Sequence, residues 1–310
     1  MKKTTKRNIL SITLVLVGFF LSDWMVGQIG KALRDHLPDY GGELTKSNYV
    51  ATRVDKDVII MGSSRAAHHY VPDILKQNID SLLDVDYSIY NAGVNGHFLG
   101  YNCCWLECLL QRHQPKLLIL DMGDSFLYGD NIEVLTDLFP LYDENQIVKR
   151  YLDESGLKDR IKLQFNHYRY NSTFVRYLNG YRTSRKVDDG YEPLYGVMSD
   201  KQSQEVLSRK DTKIKKVNEL SKNRFQSVLR LCREKNVPLI VVTSPRFGKD
   251  TPNSLTASLC KENGIPFIDM ESSSFFNEHH ELFQDAGHLN DEGAKVYTRL
   301  FLRELNGVLK

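Results

Sequence analysis

A serine near the start of the chain and an acid–histidine pair near its end could together carry chemistry. Ser64 follows the apolar run Val58–Met61 in a Gly-Ser-Ser turn, and Asp285 precedes His288 by three positions. A serine hydroxyl is a weak nucleophile unless an oriented base takes its proton. On one turn, the Asp285 carboxylate can reach Nδ1 of His288 and leave Nε2 free to face a serine. This spacing predicts an acyl-transfer site with Ser64 as nucleophile, His288 as base and Asp285 as the orienting acid.

Acyl transfer also needs hydrogen-bond donors aimed at the developing oxyanion, and these are often backbone amides at tight turns. The amide of Ser64 itself is one candidate. The amide of Gly96 is a second, because Gly96 ends the loop after the second predicted strand and has no side chain to keep a substrate oxygen away.

Several polar neighbours of these residues receive more modest expectations. Ser63 is expected to form the turn and cap the helix that follows. Arg65, His68 and His69 open that helix and could contact an anionic group near the site. The favoured expectation is that Arg65 lies behind the site and that the two histidines are partly exposed. His97, beside the oxyanion glycine, is a weaker candidate for lining the pocket.

The elements that must position these residues alternate between apolar strands and segments of helical length. Strands that are apolar throughout indicate a parallel sheet covered on both faces, with right-handed crossovers. A serine at the carboxyl end of the first strand lies where open α/β sheets place their chemistry. The predicted fold class is therefore α/β, a doubly wound parallel sheet in a flavodoxin-like three-layer sandwich. The predicted strands are Val58–Met61, Val85–Tyr90, Leu117–Leu120, Pro238–Thr243 and Pro266–Met270, and the predicted helices are Ala66–Ser81, Leu99–Arg112, Thr212–Lys235, Ser254–Asn263 and Asp291–Leu309.

The alternation lapses between about Ser125 and Asp211, where the chain is polar, rich in aromatic residues and without a clear strand. We interpret residues 126–211 as a helical cap inserted into the sheet domain. Two roles stay open for its aromatic side chains. They could stack on a substrate beneath a lid, or they could form a small core of the cap's own.

The N-terminus has the pattern of a membrane anchor. Four cations precede an apolar run from Ile9 to Ile29, and about twenty such residues cross a bilayer core. Asp23 falls near the far end of that run, beside Trp24. The basic front predicts a cytoplasmic tail and an exported body. A removed signal peptide is the alternative, although no convincing cleavage site follows, and a buried core helix is a third interpretation.

The expected domain organisation follows from these patterns: a tail and transmembrane anchor over residues 1–30, a turn-rich connector over 31–52, and a catalytic domain over 53–310 that contains the cap.

Lys plus Arg number 41 and Asp plus Glu 39, so nothing suggests a nucleic-acid partner. The five cysteines show no metal-site spacing, and we expect mostly buried thiols, with a disulfide left open. Neither a metal nor a cofactor is expected.

Three blocks of the sequence, in this order, resemble the SGNH (GDSL-type) hydrolase superfamily. They are Gly62-Ser63-Ser64, Asn91-x-Gly93-x-Asn95-Gly96 and Asp285-x-x-His288-Leu-Asn. The resemblance covers roughly Asp57 to the C-terminus. It implies Ser64 as the nucleophile, Gly96 as the oxyanion glycine, and Asp285 with His288 as the acid and base.

One block departs from the family pattern. The family usually has Gly-x-Asn-Asp after the third strand, its Asn being a side-chain oxyanion donor, whereas this chain has Asp121-Met-Gly-Asp-Ser-Phe126. Ser125 aligns with that Asn and becomes the candidate donor. Asn131, in the following loop, is the alternative.

Gly-Ser-Ser behind a membrane anchor is similar to envelope O-acylation proteins, such as the D-alanyl transfer protein of teichoic acids and the alginate acetylation proteins. The expected function is that of a membrane-anchored, exported serine esterase or O-acyltransferase. Its substrates would be acyl esters, chiefly acetyl, of cell-envelope glycan or lipid. The alternative is a catalytically weak scaffold of the same fold that binds glycan or docks a membrane acyltransferase.

Overall fold

The structure is a computed structural model that describes residues 3–37, 43–128, 135–171, 173–182, 188–208 and 216–309. The chain divides into two compact units, one made of residues 1–38 and 135–184 and the other of residues 39–134 and 185–310. The first is called the anchor unit below, and the second the sheet unit.

The described residues contain the following regular elements. The strands are β1 Val58–Gly62, β2 Ile89–Asn91, β3 Leu117–Asp121, β4 Leu239–Thr243, β5 Phe267–Asp269, β6 Phe283–Asp285 and β7 His288–Leu289. The α-helices are α1 Lys3–Asp35, α2 Glu43–Thr52, α3 Ser64–His69, α4 Pro72–Leu83, α5 Leu99–Leu110, α6 Gln146–Asp153, α7 Leu157–Lys162, α8 Asn166–Arg169, α9 Thr173–Arg182, α10 Asp200–Ser208, α11 Glu219–Glu234, α12 Ser254–Glu262, α13 Ser274–Glu278 and α14 Asp291–Leu309. Short 3-10 turns occupy Asp124–Phe126, Thr136–Leu141, Asp188–Gly190 and His280–Leu282.

The sheet unit is built on a five-stranded parallel sheet in the order β2-β1-β3-β4-β5. Because β2 and β3 flank β1 on opposite sides, right-handed crossovers place α4 and α5 on opposite faces of the sheet. Helix α14 packs beside α4, and α11 packs beside α5. This order is the flavodoxin-like one, whose switch point lies between the carboxyl ends of β1 and β3. The prediction of a doubly wound α/β sheet is confirmed.

The core alternates along the strands as the sheet pleat requires. Val58 and Ile60 point into a buried cluster that also contains Tyr297 and Phe301 of α14, while Ile59 between them is equally buried on the other face. A strand covered on both faces needs a continuous apolar run, and this explains the uninterrupted hydrophobic stretch of β1.

Three predicted elements differ from the structure for local reasons. The helix predicted from Thr212 begins only at Glu219, because Asn218 is its N-cap and accepts from the Ser221 amide. The first predicted helix is broken before Pro72, because proline disfavours helical geometry in the residue before it and starts a new helix well. The second strand is shorter than predicted. Before β2, side chains satisfy two of the backbone amides: Asp80 accepts from the Tyr87 amide and Asp57 from the Ser88 amide.

The anchor unit joins the N-terminal helix to part of the predicted cap. Helix α1 is long and apolar enough over Thr5–Asp35 to span a membrane, and its most apolar 18-residue window has a mean hydropathy of 2.1. Gly27 and Gly30 let α8 and its neighbours approach closely, since a Cβ there would lie 2.5 Å from Asn166 and Tyr170. The Asp23 carboxylate accepts hydrogen bonds from Asn166 and His167.

The two compact units divide the chain at other positions than the domain boundaries expected from the sequence. Residues 135–184 of the predicted cap belong to the anchor unit, whereas 185–208 belong to the sheet unit. The described part of the cap is helical and contains no strand. The stretch predicted as a turn-rich connector contains α2, which packs against α5. All five cysteines are buried and none forms a disulfide, in agreement with the expected buried thiols.

Gly62, the last residue of β1, is the glycine whose replacement should damage the sheet unit most. Its φ is +148°, and a Cβ there would lie 2.7 Å from the Asp121 carbonyl oxygen and 2.8 Å from Ala66. Backbone strain and overpacking each cost about 1–3 kcal/mol, so we expect Gly62→Ala to lower the free energy of unfolding by about 2–5 kcal/mol. Urea unfolding in detergent measures the change. The control is Gly264→Ala, where φ is also positive but no atom lies within 4 Å of the added Cβ. Equal losses in both variants would contradict the predicted clash.

Candidate active site

Ser64, His288 and Asp285 form a continuous hydrogen-bonded chain. Ser64 Oγ lies 2.8 Å from His288 Nε2, and His288 Nδ1 lies 2.9 and 3.0 Å from the two carboxylate oxygens of Asp285. The structure thus brings together three residues that are 224 positions apart at the extremes. These are the three residues that the sequence spacing selected.

Local structure explains how each partner is held. Ser64 is the first residue of α3, immediately beyond β1, and Ser63 occupies the N-cap position. Ser63 makes no capping hydrogen bond through its side chain, so only its expected position in the turn is found. Asp285 ends β6 and His288 begins β7, opposite each other in a hairpin with a two-residue turn. The Gly287 amide donates to Asp285 Oδ1 at 2.7 Å and fixes the carboxylate.

The protonation states favour proton removal from the serine. The hydrogen bond from His288, with further ones from the backbone, lowers the pKa of the Asp285 carboxyl below its ordinary value despite partial burial. Asp285 therefore stays ionised at neutral and mildly acidic pH, and its hold on His288 is lost only when the pH falls through that lowered pKa. An ionised Asp285 keeps the proton on Nδ1, which leaves Nε2 as an acceptor for the Ser64 hydroxyl.

The serine opens onto a cavity of about 250 Å³. Its lining residues are Ser63, Ser64, Arg65, Gly96, Phe98, Asp121, Ser125, Phe126, Arg246, Gly287 and His288. All three positions predicted to hold an oxyanion, Ser64, Gly96 and Ser125, are on this wall. Gly96 has φ +72° and open space where a Cβ would stand. Asn131, the alternative donor, lies outside the described residues.

Asp124, in the block that departs from the family pattern, has a structural role. Asp124 accepts hydrogen bonds from the backbone and hydroxyl of Thr256, at 2.8 Å each, and so caps the start of α12. Its own amide donates to Asn253 Oδ1. Gly123 lies close to the Asn253 side chain, since a Cβ at position 123 would be 2.7 Å from Asn253 Oδ1. The neighbouring Ser125 is exposed and lines the cavity.

A buried polar network supports the site from below, and the sequence analysis did not predict it. His69 Nε2 accepts from the Leu289 amide at 3.0 Å, so its Nδ1 carries the proton and donates to Ser244 Oγ. Ser244 and Tyr70 both hydrogen-bond to Asp121. Burial raises the pKa of the Asp121 carboxyl, and the nearby charge of Arg65 lowers it part of the way back. The network ties the residue after His288 to the ends of two sheet strands.

The expectation that the two helix histidines are partly exposed is wrong. His68 and His69 are both buried. Burial lowers the pKa of His68, and it lowers that of His69 well below the ordinary value with help from the nearby Arg65 charge. Because the chain leaves helical geometry before Pro72, α3 is only six residues long. It packs against β1, β7 and α14, so few of its side chains can face solvent.

Other neighbours of the site follow or depart from expectation as burial dictates. Arg65 lines the cavity beside Ser64 rather than lying wholly behind it, and its guanidinium donates to Glu271 at 2.7 Å and to the Ser244 carbonyl. His97 does not line the cavity; it is buried and stacks on Tyr101 at 4.0 Å between ring centroids. Glu271 was missed because it follows a short strand of no special pattern. Arg246 was passed over too, although it stands at the carboxyl end of β4, the edge at which open α/β sheets bind ligands.

Comparison with known proteins gives matches to solved structures only. No protein-family model matches the sequence, and no curated protein matches it. An acetyl-xylooligosaccharide esterase from Geobacillus is 12% identical, with the match covering 82% of this chain and 96% of that one at a TM-score of 0.41. A GDSL-like lipase from Bacteroides thetaiotaomicron is 10% identical, covering 85% and 100%, at 0.34.

A Bacillus subtilis protein of solved structure is 14% identical at a TM-score of 0.42, but its match spans 82% of this chain and only 57% of that one. At identities of 10–14% and TM-scores below 0.5, such likeness by itself decides neither family nor activity.

Proposed function

We propose that this chain is a serine esterase or O-acyltransferase. The observation that carries the proposal is the hydrogen-bonded chain from Ser64 through His288 to Asp285, which opens on a cavity whose wall includes Gly96. Nucleophile, base and orienting acid lie within hydrogen-bond reach of one another, and this is the arrangement that nucleophilic acyl transfer requires.

The proposed reaction proceeds in two halves. Ser64 Oγ attacks the ester carbonyl carbon while its proton passes to His288 Nε2, and a tetrahedral oxyanion forms. The amides of Ser64 and Gly96 stabilise that oxyanion. Collapse breaks the ester C–O bond, and Nε2 gives its proton to the departing alkoxide. Water or a sugar hydroxyl then attacks the acyl-enzyme, passes its proton through Nε2 back to Ser64, and releases the free acid or a new ester.

The proposal is tested on the full chain in detergent with p-nitrophenyl acetate and a fluorophosphonate probe. An active serine enzyme releases nitrophenol and is labelled covalently by the probe. A folded chain that does neither would overturn the proposal and favour the alternative, a scaffold that binds glycan or docks a membrane acyltransferase. Transfer of a labelled acetyl group to an oligosaccharide, measured by mass spectrometry, separates the transferase from the hydrolase.

Ser125 gives a prediction on the third oxyanion donor. If its hydroxyl donates to the oxyanion, Ser125→Ala lowers kcat for p-nitrophenyl acetate by about 10-fold to 100-fold, which is less than the largest effects seen for such donors because Ser125 is exposed. KM is expected to stay near the wild-type value, because the bond strengthens only as charge develops. The control is Ser273→Ala, an N-cap serine without a capping side-chain bond, outside the cavity lining. Unchanged kcat in Ser125→Ala would remove Ser125 from the oxyanion hole.

The membrane part of the proposal rests on the anchor unit. We place the spanning segment in the first part of α1, with Asp23 at its outer end, because the hydrogen bonds from Asn166 and His167 then satisfy the carboxylate at the membrane surface. With the tail in the cytoplasm, the sheet unit is exported, and acylated envelope glycan or lipid is within its reach. Carbonate extraction and protease protection of the intact chain test this; a chain released by carbonate would contradict it.

A further inference from the structure

We propose that Arg246 forms an anion-binding subsite in the active-site cavity, so that the acyl ester consumed there carries a carboxylate or phosphate close to the acylated hydroxyl. This inference rests on the proposed function and adds a class of substrate to it. The feature that carries it is an arginine on the same cavity wall as Ser64 and His288 whose guanidinium has no counter-ion among the described residues.

The backbone of Arg246 is fixed with respect to the proposed base. Arg246 follows the carboxyl end of β4, and its amide donates to the Glu271 carbonyl at 3.2 Å. The next amide, that of Phe247, donates to the Ala286 carbonyl at 3.0 Å. Ala286 is in the two-residue turn between Asp285 and His288. The loop bearing Arg246 is therefore bound directly to the hairpin that positions His288.

Arg246 is exposed and lines the cavity. Its guanidinium makes no ion pair and no hydrogen bond with the residues that the structure describes. The other charged residues of the cavity wall are already engaged: Arg65 is paired with Glu271, and Asp121 accepts from Tyr70 and Ser244. Among the described residues, Arg246 is therefore the charged residue of this cavity wall whose side chain has no partner.

The chemistry of arginine indicates the ligand. A guanidinium presents planar, paired donors that match a carboxylate or a phosphate, and such charge-assisted bonds are stronger than those to a neutral hydroxyl. The cavity is small, so an anion held by Arg246 belongs to the same molecule as the carbonyl that Ser64 attacks. An acetylated neutral sugar would leave this charge without a partner, whereas an acetylated uronic acid or polyol phosphate would supply one.

The test compares three acetyl esters that differ in charge: an O-acetylated methyl glucoside, the matching glucuronide, and an O-acetylated glycerol phosphate. The full-length wild type, Arg246→Gln, Arg246→Lys and Lys249→Gln are assayed by acetate release. Lys249→Gln is the matched control, because it removes the same charge from the same loop outside the cavity lining. The glucuronide and the phosphate distinguish the two sources of the anion.

We expect the wild type to prefer one anionic ester over the neutral one in kcat/KM. Arg246→Gln should lower kcat/KM for that ester by roughly 10-fold to 100-fold, the loss of a charge-assisted bond, while hydrolysis of the neutral ester stays within about 2-fold. Arg246→Lys should restore more activity on phosphate than on carboxylate, since lysine binds phosphate as a point charge. Lys249→Gln should match the wild type.

The possible failures are distinguishable. If the wild type hydrolyses the neutral ester as well as both anionic ones, or if Arg246→Gln slows all three esters equally, the anion subsite is overturned and the esterase stands. If the wild type hydrolyses none of the esters and is not labelled by the fluorophosphonate, the proposed function fails and the subsite falls with it.

Discussion

Replacing Ser64 by alanine is expected to abolish fluorophosphonate labelling and to reduce kcat/KM for p-nitrophenyl acetate by about 10⁴-fold or more. The reason is geometric. Ser64 Oγ is 2.8 Å from the only imidazole nitrogen in this chain of bonds that can accept its proton. Without the oxygen no acyl-enzyme can form, and only the weak catalysis of the remaining oxyanion donors is left.

The matched control for this prediction is the adjacent serine. Ser63→Ala removes a hydroxyl from the same cavity wall and the same turn, at an N-cap without a capping side-chain bond. It should retain activity within about 3-fold of wild type, because the buried Ser63 hydroxyl makes no capping bond and is not part of the hydrogen-bonded chain from Ser64 to Asp285. Near-UV circular dichroism establishes that both variants fold. Loss of labelling in Ser63→Ala with retention in Ser64→Ala would reverse the assignment of the nucleophile.

Replacing Asp285 by asparagine is expected to lower kcat by about 10²-fold to 10⁴-fold with little change in KM. An asparagine amide can present its NH₂ group to Nδ1, which favours the tautomer with the proton on Nε2. That proton would then face Ser64, and the base would be lost. The loss is placed below that of the serine, because the Asp285 side chain is half exposed and water can partly orient His288 in its place.

Glu281→Gln provides the control for Asp285→Asn. Glu281 also pairs with a histidine close to the hairpin, His279, at 2.7 Å, but it does not line the cavity. It should leave kcat unchanged. If Asp285→Asn kept most of the wild-type kcat, Asp285 would be a surface neighbour of His288 rather than its orienting acid.

Much of the sheet unit was predictable from short-range pattern. β1 and β3 are buried on both faces, which requires an uninterrupted apolar run, and such runs are visible in the sequence without any knowledge of the fold. The Asp285–His288 pair was predictable for a similar reason, because both residues lie in one tight hairpin. Their proximity is a local property of the chain.

The errors of prediction arise where distant segments decide. His68 and His69 open a polar-looking helix, yet contacts with β1, β7 and α14 bury them. The extent of the cap stays a prediction: residues 135–184 group with α1 in one compact unit and 185–208 with the sheet in the other, and nothing local in the cap distinguishes the two parts. The second strand is shorter than its apolar pattern suggests, because Asp57 and Asp80 take over the hydrogen bonding of its first residues.

The amino-acid sequence by itself predicted the fold class, the apolar run within α1 and the three residues of the proposed Ser-His-Asp site. These features can be predicted because strand burial, helix length and a two-residue turn each depend on residues that are close together in the sequence. Only the tertiary structure decided that Ser64 lies at hydrogen-bond distance from His288 and that the charges of Arg65 and Asp121 have protein partners. It also decided that the guanidinium of Arg246 has none among the described residues. Charge compensation depends on groups brought together from opposite ends of the chain, and no local pattern records it.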